Sequence, residues 1–116
     1  MVVRCRHMTA KEARELVVQG KALLIDVREE PELRESGTAE GALWMPLSEM
    51  MEDTDQWRAF KQGLPRDKPI IVYCKAGGRS GRMCEFLCCD GFQAVNLGGF
   101  CDWKGAGLPV KPFGKP

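Results

Sequence analysis

Residues 69 to 80 read Pro69-Ile70-Ile71-Val72-Tyr73-Cys74-Lys75-Ala76-Gly77-Gly78-Arg79-Ser80, and the fold turns on this stretch. Pro69 to Tyr73 follows the turn-forming Arg66-Asp67-Lys68 and shows no polar alternation, the pattern of a strand buried on both faces. It leads directly into Cys74 and a loop with two adjacent glycines. Helix-forming sequence follows from about Ser80 to Asp90 and is closed by Gly91. A doubly buried strand followed by a loop and a helix is half of a βαβ unit, so a parallel sheet covered by helices on both faces is expected.

The flanking sequence repeats the alternation. Thr9 and Glu12 have capping-box spacing, and Ala10 to Gln19 predicts a helix that stops at Gly20. Ala22 to Val27 is a second apolar strand with Asp26 at its end, Glu29 to Ser36 a short helix closed by Gly37, and Ala42 to Met45 a brief strand halted by Pro46. Ser48 is read as the cap of a turn through Met51, and Asp55 as the cap of a helix through Gln62 that carries Trp57 and Phe60. Phe92 to Asn96 predicts another strand, after which Gly98 and Gly99 start a last short helical segment packed by Trp103. The expected class is α/β, three layers with a mainly parallel sheet of about five strands. One domain spans residues 1–116, with a core at about 9–106 and a Pro- and Gly-containing tail at 107–116. Ligands of such sheets bind beyond the carboxyl ends of the strands, where Cys74 lies.

Composition narrows the function classes. The chain has 116 residues, 44% hydrophobic and 28% charged, the balance of a globular domain able to bury a core. Lysine and arginine total 17 against 16 acidic residues, which gives no reason to expect nucleic acid or an anionic membrane as partner. No apolar run reaches the length of a signal segment or a membrane span, so a cytoplasmic location is expected. The six cysteines are read as thiols, with no metal site, because Cys84, Cys88 and Cys89 lack Cys-x-x-Cys pairing and His7 is the single histidine. The helix face that carries Cys84 and Cys88 also carries Leu87, which favours core packing.

The chemistry concentrates at Cys74. Successive N–H groups from Lys75 to Ser80, in a glycine-bearing turn before a helix, form a cradle for an anion. Lys75 and Arg79 add positive charge that favours the thiolate, the nucleophilic form. Between residues 61 and 82 there are six basic residues (Lys61, Arg66, Lys68, Lys75, Arg79, Arg82) and one acidic residue, Asp67. A structural cysteine in an ordinary turn would share the strand-end position but needs neither the cradle nor the cations.

Four segments together resemble the rhodanese-like, single-domain sulfurtransferase family: Leu24-Ile25-Asp26-Val27-Arg28-Glu29, Gly37 to Pro46, Asp67 to Ser80 with its Cys-x-x-Gly-x-Arg loop, and Leu97-Gly98-Gly99-Phe100 followed by Trp103. Thr38-Ala39-Glu40 departs from the His-Ile-Pro that the family often carries there. The resemblance implies that the Cys74 thiolate takes a sulfane sulfur from a small anionic donor such as thiosulfate and passes the persulfide sulfur to cyanide or a thiol, with no cofactor. It further implies a binding loop of Lys75, Ala76, Gly77, Gly78, Arg79 and Ser80. Lys75 would steer the donor and Arg79 would shape the loop and contact donor oxygens. Asp26 and Arg28 would support the loop, although strand-end charges also serve as solvated caps. A persulfide carrier fed by a sulfur-relay protein is the alternative. A phosphatase of the cell-cycle type fits less well, since four residues separate Cys74 from Arg79 where that class has five. Cys101, near the closing motif, could resolve a persulfide, and Trp44 stands either in the core or on a partner surface.

Overall fold

The computed structural model describes residues 5–113. Along the chain run β1 (Arg6–His7), α1 (Ala10–Val18), β2 (Leu23–Asp26), α2 (Glu30–Ser36), β3 (Thr38–Ala39), β4 (Ala42–Trp44), α3 (Leu47–Glu52), α4 (Asp55–Gln62), β5 (Ile70–Cys74), α5 (Gly78–Cys89), β6 (Ala94–Gly99), α6 (Phe100–Gly105) and β7 (Val110–Lys111). Strands β1, β6, β5, β2 and β4 form one sheet in that order, and every neighbouring pair is parallel. The expected α/β architecture with a five-stranded parallel sheet is therefore the one the chain adopts.

Pleating divides β5 between two cores. Ile70, Val72 and Cys74 face a cluster with Ile25, Val27, Trp57, Met83 and Leu87, beneath α3, α4 and α5. Ile71 and Tyr73 face Leu24, Val95, Ala13, Phe100 and Trp103, beneath α1 and α6. No residue of β5 is more than 1% exposed, which is why its sequence shows no polar alternation. The same pleat aims the Cys74 side chain at the start of α5.

Local capping chemistry sets the helix starts, in places one residue away from expectation. Thr9 and Glu12 form the expected capping box on α1, with the Thr9 hydroxyl accepting from the Glu12 N–H at 3.2 Å. Thr54, not Asp55, caps α4, because its extended backbone lets the hydroxyl accept from the Trp57 N–H at 3.1 Å. Ser48 is no cap either: α3 begins at Leu47 behind Pro46, whose fixed φ suits helix entry, and the Ser48 hydroxyl donates to Glu29 Oε1 at 2.9 Å.

Strand β6 runs on to Gly99, beyond the expected Asn96, since its pairing with β5 continues to Cys74 opposite Gly99. Strands β1, β3 and β7 have two residues each, too short to leave a periodicity in the sequence. Within the expected tail, Val110–Lys111 pairs antiparallel with Thr38–Ala39, and the Pro109 carbonyl accepts from Trp103 Nε1 at 2.8 Å. Among the described residues no helix is long and apolar enough to cross a membrane.

Candidate active site

Cys74 closes β5, and its sulfur sits in the turn that leads into α5. The Gly77 N–H donates to Cys74 Sγ at 2.9 Å. Gly77 holds φ at +105°, a conformation that L side chains rarely adopt, and this aims the amide at the sulfur. Burial alone pushes the Cys74 thiol up, but the Ser80 hydroxyl and the backbone N–H groups of Ser80, Gly77 and Ala76 outweigh it, and the net shift is downward. The Ser80 hydroxyl lies 3.4 Å from the sulfur and 2.7 Å from Asn96 Oδ1, so its single proton serves the sulfur only when it turns from Asn96. The Gly77 amide is the fixed donor. The donors aimed at the sulfur are thus the main-chain N–H groups of Ala76, Gly77 and Ser80, with the Ser80 hydroxyl.

Gly99 lets the loop close over the sheet. A Cβ there would stand 2.3 Å from the Lys75 carbonyl oxygen, so the active loop and the end of β6 can approach only because the side chain is absent. Gly99 closes β6 and stands before α6, and what requires a glycine there is this close approach.

The cations are arranged differently from expectation. Lys61 pairs with Asp90, Arg66 donates to the Asp90 carbonyl and Lys68 to the Gly20 carbonyl, all around the carboxyl ends of α5 and α1, far along the sheet from Cys74. Arg82 lines a depression with Met50, Met51, Glu85, Phe86 and Cys89. Only Lys75, which is exposed, and Arg79 remain beside the sulfur. Arg79 forms a two-pronged ion pair with Glu32 of α2, at 2.6 and 2.8 Å. The Arg79 hydrogen bonds hold the Glu32 carboxyl at about 2, well below its ordinary 4.5. Glu32 also accepts from the Glu29 N–H at 3.0 Å, tying the start of α2 to the active loop. Its spacing from Glu29 signals a capping box; nothing in the sequence signals its partner in the loop.

Asp26 and Arg28 are buried, not solvated. Arg28 donates to both Asp26 carboxylate oxygens, to Ser36 Oγ and to the Gly37 carbonyl, and its guanidinium lies 4.3 Å from the Phe100 ring centroid. The hydroxyls of Tyr73 and Thr38 donate to Asp26 Oδ2, and the Ala39 N–H donates to Tyr73. This network binds no residue from 74 to 80 directly; it reaches the loop through Tyr73, the neighbour of Cys74. Trp44, half-buried, donates to the Arg28 carbonyl at 2.8 Å and meets the Phe113 ring edge-on.

Cys84 is buried in the core, as its helix face implied, and Cys88 is partly buried. Burial raises the Cys84 thiol strongly and lifts Cys5, which packs beside it, to about 11, so both are poor nucleophiles. Cys101 is exposed and lines a shallow depression with Lys75, Glu32, Glu35, Arg28, Ser36 and Phe100.

Comparison with known proteins agrees with this geometry. Residues 9–106 match the rhodanese-like domain. A sulfurtransferase of Allochromatium vinosum is 30% identical over 90 residues, covering 76% of this chain and 77% of that protein. The thiosulfate sulfurtransferase GlpE of Coxiella burnetii is 30% identical over 101 residues, covering 85% and 87%. Among solved structures, a rhodanese-related protein of Thermoplasma volcanium superposes with a TM-score of 0.74 at 32% identity, over 91% of this chain and 97% of that one. The polysulfide-sulfur transferase homodimer of Wolinella succinogenes does so with a TM-score of 0.75 at 27% identity, over 93% and 79%. With a cysteine held in a backbone cradle at the end of the central strand and these relatives across most of its length, the chain belongs to the rhodanese-like sulfurtransferase family.

Proposed function

We propose that this protein moves sulfane sulfur by way of a persulfide on Cys74. The observation that carries the reading is the amide of Gly77 donating to Cys74 Sγ at 2.9 Å, in a loop whose other N–H groups favour an anion at the same place. With thiosulfate, the thiolate attacks the outer sulfur, the S–S bond breaks, and sulfite leaves with its electron pair. The enzyme is left as the Cys74 persulfide anion, stabilised by the same donors. Cyanide or a thiolate then attacks the terminal sulfur and the Cys74 thiolate returns. Cys74 is the catalytic residue. The main chain of Lys75 to Ser80 holds the charge, Lys75 meets the anionic donor at the surface, and Asp26 and Arg28 brace the strand ends. Four residues separate Cys74 from Arg79, and Arg79 is turned toward Glu32, which argues against a phosphate site.

A second reading is a carrier fed by a protein persulfide with little turnover of free thiosulfate. The occupied Arg79 fork favours it, because that group is not free to clasp the donor's oxygens. Intact mass after incubation with thiosulfate, for wild type and Cys74→Ser, with and without a cyanide chase, tests the proposal. Gain of one sulfur that requires Cys74 and disappears with cyanide is expected; no gain from any sulfane donor overturns it.

A further inference from the structure

Resting on that reading, we infer that Asn96 is a positioning residue of the site: from the strand behind the loop it braces Gly77, whose amide meets Cys74, and gives the Ser80 hydroxyl a resting acceptor while the sulfur is uncharged. Asn96 lies on β6 between Val95 and Leu97, is 6% exposed, and stands opposite Val72 in the register, so its side chain leaves the sheet on the face that carries Val72 and Cys74. An amide is disfavoured in a strand and costs stability when buried unless its polar atoms are bonded. Both polar atoms of Asn96 find their partners in the site. Nδ2 donates to the Gly77 carbonyl at 3.2 Å, and Oδ1 accepts from the Ser80 hydroxyl at 2.7 Å and from the Gly98 N–H at 2.9 Å. The Gly98 donor and the Gly77 acceptor together fix which way the amide points. The Gly77 carbonyl also accepts from the Gly81 N–H at 3.0 Å, so Asn96 and the first turn of α5 hold Gly77 between them. Asn96 makes no hydrogen bond to Cys74 among the described residues; it acts through the two residues whose N–H and hydroxyl point at the sulfur.

The direction of its effect follows from the acceptors around Ser80. Besides Asn96, the hydroxyl has the Gly77 carbonyl at 3.2 Å, and Cys74 Sγ and the Gly98 carbonyl both at 3.4 Å. Without Asn96 the Gly77 carbonyl loses its Nδ2 donor and becomes open to the hydroxyl, which then bonds back within its own helix turn. Loss of Asn96 therefore does not hand the proton to the sulfur. It also frees Gly77, and the amide that is the fixed donor to Cys74 loosens with it. Both changes weaken the thiolate.

The test reads the pH midpoint of iodoacetamide alkylation at Cys74, resolved from the other cysteines by peptide mass, together with urea unfolding, in wild type, Asn96→Leu, Ser80→Ala and the double variant. Leucine keeps the volume of the amide and removes its donor and acceptor, and Asn96→Ala serves if the larger side chain prevents folding. The charged groups beside the sulfur, Lys75 and Arg79 with its Glu32 partner, are unchanged in all of these. The midpoint in Asn96→Leu is expected to rise by about half a unit to one unit, and thiosulfate loading to fall several-fold near neutral pH but recover at alkaline pH. In the Ser80→Ala background Asn96→Leu is expected to raise the midpoint further, since the brace on Gly77 is lost whether or not the hydroxyl is present. Lost stability with an unmoved or lowered midpoint makes Asn96 a packing residue and overturns the inference. Absence of a further rise in the Ser80→Ala background overturns it as well, leaving Asn96 to act on the hydroxyl alone. If wild-type Cys74 takes sulfur from no donor while the midpoints move as expected, the sulfurtransferase reading falls and the positioning of the thiolate stands.

Discussion

Arg28 folds back onto Asp26, two residues before it, so that Nε and Nη2 reach both carboxylate oxygens at 2.8 to 3.2 Å where neither side chain is more than 3% exposed. Every buried side-chain N and O atom among the described residues has a hydrogen-bond partner. Removing one member of such a pair leaves the other charge buried without compensation. Arg28→Met is expected to lower stability by about 3–5 kcal/mol in urea unfolding, with Asp26→Asn in the same direction. A loss below about 1 kcal/mol in both would show that the network is incidental to the fold.

The hydrogen bonds at Cys74 carry a pH signature. The folded thiol titrates below its ordinary value, so alkylation by iodoacetamide is expected to reach its plateau at lower pH than a free cysteine does. Ser80→Ala removes the side-chain donor but leaves the Gly77 amide. The alkylation midpoint of that variant should move upward while remaining below that of Cys74 in the denatured chain. An unmoved midpoint would assign the whole effect to the backbone.

What could be read ahead of the structure was what is local in sequence. Ile70 to Tyr73, Cys74 and the Gly77-Gly78 loop announce a buried strand, a nucleophile and a cradle within a dozen residues, because strand burial and anion cradles are made by neighbours along the chain. The Glu32–Arg79 pair was invisible because it joins α2 to the loop across 47 positions. The same limit misled the charge count: Lys61, Arg66 and Lys68 are close to Cys74 in sequence, yet a parallel strand carries the chain from one end of the sheet to the other between them. The capping shifts have local causes: at α4 the adjacent Thr54 and Asp55 compete for one helix start and the backbone dihedrals decide between them, and at α3 the helix begins behind Pro46, which leaves Ser48 inside the first turn.

The Glu32–Arg79 pair also makes stability depend on pH. Its carboxyl titrates at about 2 in the folded chain against an ordinary 4.5. A depressed folded pKa gives stability that is fully present above about pH 4.5 and is lost as pH falls toward 2. The two side chains are 29% and 33% exposed, so solvent screening reduces the contribution to about 1 kcal/mol. Glu32→Gln should therefore flatten the fall in unfolding free energy between pH 5 and pH 3 (about that window) relative to wild type. Parallel curves for the two proteins would place the acid sensitivity elsewhere.

The segment beyond Gly107 closes the face opposite the nucleophile. Trp103 is fully buried and its indole N–H has one acceptor, the Pro109 carbonyl at 2.8 Å, while that carbonyl also accepts from the Glu40 N–H. β7 then pairs with β3, whose Thr38 and Ala39 bond Asp26 and Tyr73. Truncation after Gly107 strips the Trp103 indole of its partner and bares β3, and is expected to lower stability by about 2–4 kcal/mol. Trp103→Phe in the full-length chain removes the donor while keeping a ring, and should cost less, about 1–2 kcal/mol. If truncation is no worse than Trp103→Phe, the strand pairing adds nothing and the indole hydrogen bond is the whole of what the segment supplies.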